Sequence, residues 1–267
     1  MIGRSKSHKG LALILRVVFL FVAIAVIIWA IHFLFRIESI NIQGITISGN
    51  ESVESEDIKR VVEENLNGSR YLVIPKTNIW LYPKKKMDEK LKEEFHKISK
   101  TEIKVSNGVL NVYIEEREPH ALWCKDQEEC YFLDITGFIF TPAPMFSDNV
   151  FFVYRGEGNL GEYYLNPNEF QDIEQFIEAL SLLDFFPESL NFDTENTFVI
   201  STASGVKILM EKQNSYSQVF ANLETVLEEE DLIQSRSIDY ENLDYINLRF
   251  DTKVFYKFKT EDVAETE

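Results

Sequence analysis

The sequence predicts an α+β protein: an N-terminal transmembrane helix, a βααββ domain, and a β-rich domain with two helices. Three observations predict it. Residues 17–35 read VVFLFVAIAVIIWAIHFLF, interrupted only by His32. Residues 37–116 then pass through a strand, two helices and two strands by their apolar spacing. From 117 onward short alternating runs dominate, with two stretches at helical spacing between them. The expected boundaries are a cytoplasmic tail over 1–10, a transmembrane helix over 11–35, the two domains over 37–116 and 117–259, and a disordered acidic tail over 260–267.

A membrane span needs roughly 20 mostly apolar residues, and GLALIL extends the run at its start. A cleaved signal peptide has an apolar core of about 7–15 residues ending at a small-residue site. This run is longer, and Trp29, Phe33 and Phe35 fill its far end. Arg4, Lys6, Lys9 and Arg16 precede or open the span, while only Arg36 follows directly. Positive residues stay inside, so the N-terminus is expected in the cytoplasm and the chain beyond 37 outside. Arg16 can snorkel to the interface, and His32 reads as an interfacial residue near the outer face.

The first 36 residues hold five basic and no acidic side chains, so of 27 basic and 44 acidic in the chain the remainder carries 22 and 44, a net of −22. That sign disfavours nucleic acid and anionic headgroups as partners and favours solubility. Cys124 and Cys130 flank KDQEE. Outside the membrane a disulfide closing this loop competes with two free thiols, and two thiols without a neighbouring His make a poor zinc site.

Ile40, Ile42, Ile45 and Ile47 alternate over 37–48, with Gly44 marking a bulge or bend. Ser55 is expected to cap a helix carrying Ile58, Val61, Val62 and Leu66, closed by Asn67-Gly68. After Pro83 a second helix carries Met87, Leu91 and Phe95. Its Lys84, Lys85 and Lys86 oppose the helix dipole and have no structural reason in the sequence. Strands over 102–106 and 109–115 meet at Asn107-Gly108, a strong hairpin signal. Both helices are expected on one face of a three-stranded sheet.

In the second domain, strands are expected over 119–124, 131–134, 138–141, 150–155, 197–202 and 206–211. Asn168 is expected to cap a helix with Phe170, Ile173, Phe176, Ile177 and Leu180, and Val219, Leu223, Val226 and Leu227 form a second stripe. A closing hairpin spans YINLRFDTKVFYKF (245–258), turning near Asp251 to Lys253. No internal repeat or low-complexity tract appears.

No catalytic pattern is present. His8, His32, His96 and His120 sit in no metal or triad spacing, and no G-x-S-x-G or H-E-x-x-H motif occurs. The many carboxylate pairs are expected by chance in a chain this acidic. The chain is therefore not expected to be an enzyme, and no cofactor or metal is implied.

Four passages, in order behind an apolar anchor, are similar to the FtsQ/DivIB family of bacterial division proteins. ISGNESVESEDI (47–58) resembles the entry to a POTRA domain; EEREPHALW (115–123) resembles the family's E-R-x-P-x-A-x-W passage into its β domain. FLDITGFIF (132–140) resembles its D-x-x-G hairpin, and INLRFDTKVFYKF (246–258) its closing hairpin. The chain departs where Asn247 replaces the usual Asp and Thr252-Lys253 replaces a turn Gly. The resemblance implies a POTRA domain over 37–116 and an FtsQ/DivIB-type β domain over 117–259, in a non-catalytic divisome scaffold at the septum. It implies FtsB/DivIC-like and FtsL-like partners and no small-molecule substrate or nucleic acid.

The resemblance further implies that the last strand docks a partner segment by strand addition. Phe250, Lys253, Val254, Phe255, Tyr256, Lys257 and Phe258 would then form the partner-binding set, with the lysines meeting acidic side chains. By their composition alone, the same residues finish the fold, with lysines blocking unwanted pairing at an edge. The alternative function is a POTRA-bearing component of protein export or membrane-protein assembly. A single such unit and the lack of alternating barrel strands of about ten residues weigh against it. A membrane-anchored wall enzyme would require a polar, carboxylate-lined cleft.

Overall fold

The computed structural model describes residues 7–35, 37–70, 74–146, 150–194, 196–212, 215–229, 242–250 and 253–259. The expected turn residues Asp251 and Thr252, the start of the cytoplasmic tail over 1–6 and the acidic tail over 260–267 lie outside them. The fold is mixed α+β, and the chain divides into two compact units, Met1–Glu116 and Arg117–Glu267.

The first unit opens with α1 (Ser7–Leu34). Within it Ala12–Leu34, 23 residues, is long and apolar enough to cross a membrane. At 1.5 Å per residue this stretch covers about 35 Å, against a hydrocarbon core of about 30 Å. The helix begins at Ser7, inside the expected tail, and runs through Gly10, so one weak helix former does not end a segment that continues into the long apolar run.

A 3-10 turn (Glu38–Ile40) follows, and β1 starts only at Gly44 (Gly44–Ser48), so the expected strand over 37–48 is half as long. Next come α2 (Ser55–Leu66), the two-residue strands β2 (Ser69–Arg70) and β3 (Ile74–Pro75), α3 (Lys84–Glu94), β4 (Ile98–Ser106) and β5 (Val109–Glu116). β2 and β3 pair antiparallel, Ser69 opposite Pro75 and Arg70 opposite Ile74. Ser55 is the first helical residue and not the cap; its hydroxyl instead meets the Asn50 amide at 3.0 Å.

The sheet order is β1-β5-β4, with β1 parallel and β4 antiparallel to β5. Asn107 (φ 52°) and Gly108 (φ 77°) both take the left-handed conformation that a tight two-residue hairpin requires. Leu110, Val112 and Ile114 alternate into a core shared with Ile58, Val61, Val62 and Leu66 of α2 and Met87 and Leu91 of α3. Ile98 and Ile103 of β4 join the same core although an odd spacing puts strand residues on opposite faces. A bulge between Ile98 and Lys100 restores the phase.

The second unit contains β6 (Ala121–Cys124), β7 (Cys130–Leu133), β8 (Ile139–Pro142), β9 (Val153–Arg155), α4 (Pro167–Ser181), β10 (Pro187–Phe192), β11 (Thr197–Thr202), β12 (Lys207–Glu211), α5 (Tyr216–Glu229), β13 (Leu243–Phe250) and β14 (Lys253–Phe258). They form one nine-stranded sheet, β14-β13-β12-β11-β10-β9-β6-β7-β8. Three adjacent pairs, β6–β9, β9–β10 and β12–β13, are parallel, and α4 and α5 are the crossovers of the last two. The two helices touch and so cover the same face. Phe170 and Phe176 of α4 share the buried core with Tyr154, Leu190, Phe198, Ile200 and Ile208 of the sheet.

β10 was not expected: PESLNF opens with Pro and carries three polar side chains. It is a strand because β9 and β11 flank it and complete its ladder, so tertiary pairing overrides its weak propensity. The α4 cap is Asn166, whose side chain accepts from Asn168 N–H at 3.1 Å, with Pro167 opening the helix; Asn168 is inside it. On the opposite face Phe132 packs against Phe140, Phe146 and Phe151, with ring centroids 5.5–6.3 Å apart.

Candidate functional site

Strand β14 is the outermost strand at one end of the nine-stranded sheet. Its register on β13 pairs Leu243 with Phe258, Ile246 with Tyr256, Asn247 with Phe255 and Phe250 with Lys253. Two shifts interrupt it, and both place the extra residue in β13, so β14 itself alternates without a break. Val254 and Tyr256 turn inward and pack on the core. With Phe258 they border an apolar recess completed by Leu223, Val226 and Leu227 of α5 and Leu243 and Ile246 of β13. Lys253, Phe255 and Lys257 take the other face.

Three aromatic rings remain in solvent: Phe250 is 52% exposed, Phe255 48% and Phe258 44%. Phe250 and Phe255 meet edge to face at 5.2 Å, and Tyr256 and Phe258 do so at 5.6 Å. Lys257 approaches Asp244 at 3.7 Å, a loose exposed pair of small energetic weight. The partner-binding set expected from the sequence therefore splits between the two faces of the β13–β14 hairpin. Phe250 and Phe255 share one side, whereas Tyr256, expected beside them, belongs to the α5 side.

Backbone direction adds what the sequence could not. Lys259 N–H donates to Asn242 C=O at 2.7 Å. Alternation then directs the amides of Lys253, Phe255 and Lys257 toward β13 as well, and those of Val254 and Phe258 away from it. Phe255 is thus an inward-bonding position, and its exposed ring is its only outward group. No sequence signal marks this choice, because register is set by which strand lies alongside.

The other motif residues meet where the second unit begins. Asp134 Oδ1 accepts from Thr136 N–H (2.8 Å), Thr136 hydroxyl (2.6 Å) and Phe138 N–H (3.0 Å), while Oδ2 pairs with the nearly buried Arg117. The Arg117 guanidinium lies 3.9 Å from the Phe138 ring centroid. Burial pushes the Asp134 carboxyl up, but the Thr136, Phe138 and Arg117 bonds outweigh it and hold it below its ordinary value. Gly137 (φ 79°) closes the turn, and a Cβ there would fall 2.7 Å from the Phe170 ring. Trp123 is buried and donates to Gly156 C=O at 3.2 Å. Arg117, Trp123, Asp134 and Gly137 are thus held by contacts within the second unit and act as its structural parts.

Glu116, one residue earlier, serves the first unit. Its Oε1 accepts N–H bonds from Glu51 (2.8 Å), Ser52 (3.0 Å) and Val53 (3.0 Å), and its Oε2 accepts the Ser52 hydroxyl. Burial raises this carboxyl, but the Ser52 and backbone bonds prevail and set its pKa at about 2. His120 meets Glu174 of α4 at 2.7 Å, and Glu174 also accepts the buried Tyr154 hydroxyl. Hydrogen bonding to Glu174 raises the His120 pKa against the effect of burial.

Cys124 and Cys130 stand opposite each other in the β6–β7 register and are disulfide-bonded, with Cα atoms 4.1 Å apart. Among the described residues no group of three His, Cys, Asp or Glu side chains could hold a metal ion. Glu157 and Asp193 line a groove with Lys212, which is paired with Glu169 at 3.1 Å. No protein-family model matches the chain, and no curated protein matches it in sequence.

Proposed function

We propose that this chain is a non-catalytic, membrane-anchored scaffold of the FtsQ/DivIB type, acting in bacterial cell division. In this reading α1 is the anchor with the N-terminus in the cytoplasm, residues 37–116 are a POTRA domain, and residues 117–259 are the partner-binding β domain. The observation that carries it is β14, a terminal strand of a large sheet with Phe255 and Phe258 exposed along it and Phe250 of β13 exposed beside Phe255. An added strand supplies the outer ladder that an edge lacks, and alternate side chains supply selectivity.

The partner would be an FtsB/DivIC-like segment, accompanied by an FtsL-like protein. Val254 and Phe258 amides would join its backbone, Phe250 and Phe255 would cover its apolar side chains, and Lys253 and Lys257 would meet its acids. Binding of this kind places a regulator at the septum, where it would help control peptidoglycan synthesis. Midcell recruitment belongs to the same proposal.

The test is a pair of proline substitutions in the full chain. Val254→Pro removes an amide directed away from β13, and partner capture should be lost with the fold intact. Phe255→Pro removes an amide directed toward β13 and should loosen the hairpin itself. Capture retained by a folded Val254→Pro chain would refute strand addition. A fluorescent fusion to the N-terminus should form a midcell band in dividing cells. A uniform membrane signal with normal division would refute the division role and favour an export component.

A further inference from the structure

The basic triplet Lys84–Lys86 is unexplained by helix formation. These three lysines form the first turn of α3, where cations oppose the helix dipole, and all three are exposed. Lys85 has one loose partner, Glu89 at 3.7 Å. Just before them, Trp80 is 69% exposed and Leu81 38% exposed.

Hydrogen bonds fix where this segment stands. Asn41 donates from its side-chain amide to the carbonyls of Phe35 (2.9 Å) and Ile37 (2.8 Å), directly after α1. Its Oδ1 accepts the Thr77 hydroxyl at 3.1 Å. Ile42 N–H donates to Thr77 C=O (2.7 Å) and Ile79 N–H to Ile40 C=O (3.1 Å). The buried Asn78 donates to Ile40 C=O at 3.2 Å and accepts Trp80 N–H at 3.1 Å. Ile40 follows Leu34 by six residues, at most roughly 20 Å of extended chain, and the Asn41 bonds fold that distance shorter. Trp80 and the lysines are therefore held beside the exit of α1.

An indole at the level of the headgroups and lysines against anionic phosphates are the usual companions of a span's end. We propose that Trp80, Leu81 and Lys84–Lys86 form a membrane-surface contact that seats the first unit on the anionic phospholipid interface of the bilayer crossed by α1. The proposal rests on α1 being an anchor. The net of −22 beyond residue 36 repels the rest of the exported chain from that surface, so the basic patch decides which side approaches it. The three lysines then have a physical reason that the helix itself does not provide.

Trp29, Trp80 and Trp123 are the tryptophans, and Trp123 is buried. The full chain is reconstituted in phosphatidylcholine–phosphatidylglycerol vesicles whose acyl chains are brominated near the headgroup. In a Trp29→Phe chain, emission lost on adding Trp80→Phe reports Trp80; bromine should reduce that component roughly by half and shield it from aqueous iodide. Lys84→Glu, Lys85→Glu and Lys86→Glu together should restore most of the lost emission. A Trp80 component indifferent to bromine overturns the proposal, whether iodide reaches it or a protein covers it. A Trp80→Phe chain reports Trp29 in parallel with bromine placed at the bilayer centre. Unquenched Trp29 would show that the anchor itself is wrong, whereas quenched Trp29 with unquenched Trp80 removes only the surface contact.

Discussion

Replacing Glu116 by Gln should detach the turn before α2 from the end of β5. The wild-type carboxylate receives the Glu51, Ser52 and Val53 amides and the Ser52 hydroxyl, and its side chain is only 7% exposed. Gln keeps one oxygen for the three amides but turns its nitrogen toward the second Ser52 contact, at 3.2 Å. The shift of the pKa from 4.5 to about 2 sets the scale. By linkage it corresponds to roughly 3 kcal/mol of stabilisation of the charged form. With one acceptor retained, the substitution should cost about 2–3 kcal/mol, or roughly 30- to 160-fold faster exchange of the amides around Ser52 and Val53 under conditions where opening is at equilibrium. The folded pKa lies below the unfolded one, so the contribution is complete above about pH 4.5 and is lost as pH falls toward 2. Hydrogen exchange of the full chain in micelles, read by mass spectrometry from neutral to acid pH, measures it. Less than about 0.5 kcal/mol at pH 7, or a cost that does not shrink toward pH 2, would refute the account.

The same logic with the opposite sign applies to His120. Its raised pKa means that the bond to Glu174 stabilises below the unfolded value of 6.5 and is lost as pH rises through the higher folded value. Protection of α4 amides should fall over that interval in the wild type, and Glu174→Gln should flatten the dependence; an unchanged profile would remove His120 as the cause. Replacing both Cys124 and Cys130 by Ser should cost about 2 kcal/mol, since the closed loop is short and β6–β7 pairing already holds it. Thermal unfolding of the oxidised, reduced and doubly substituted chains reads this, and a collapse of the second unit on reduction would contradict it.

The strongly periodic parts were legible in the sequence. α2 shows its face as Ile58, Val61, Val62 and Leu66, and all four are buried. Asn107-Gly108 announced its hairpin because the turn needs two left-handed residues, a local requirement. The apolar run of α1 is equally local. The failures cluster where a partner elsewhere in the chain decides. Ile40 and Ile42 look like a strand, yet residues 40–42 bond to 77–79 around a 3-10 turn. Ser55 looks like a cap, yet Asn50 engages it and Glu116 satisfies the amides ahead of it. PESLNF looks like a loop until two strands flank it.

For the candidate site, composition marked the closing hairpin and its aromatic residues, since alternation is a property of the chain itself. The apolar helix, the alternating faces and the pair of cysteines are properties of the chain read locally. Long-range pairing sets β14 at the end of a nine-stranded sheet, puts both irregularities in β13, and directs the amides of Val254 and Phe258, rather than that of Phe255, away from it. Side-chain alternation follows from strand geometry alone, whereas strand order and the direction of each amide depend on which backbone pairs alongside, through contacts between residues far apart in the chain.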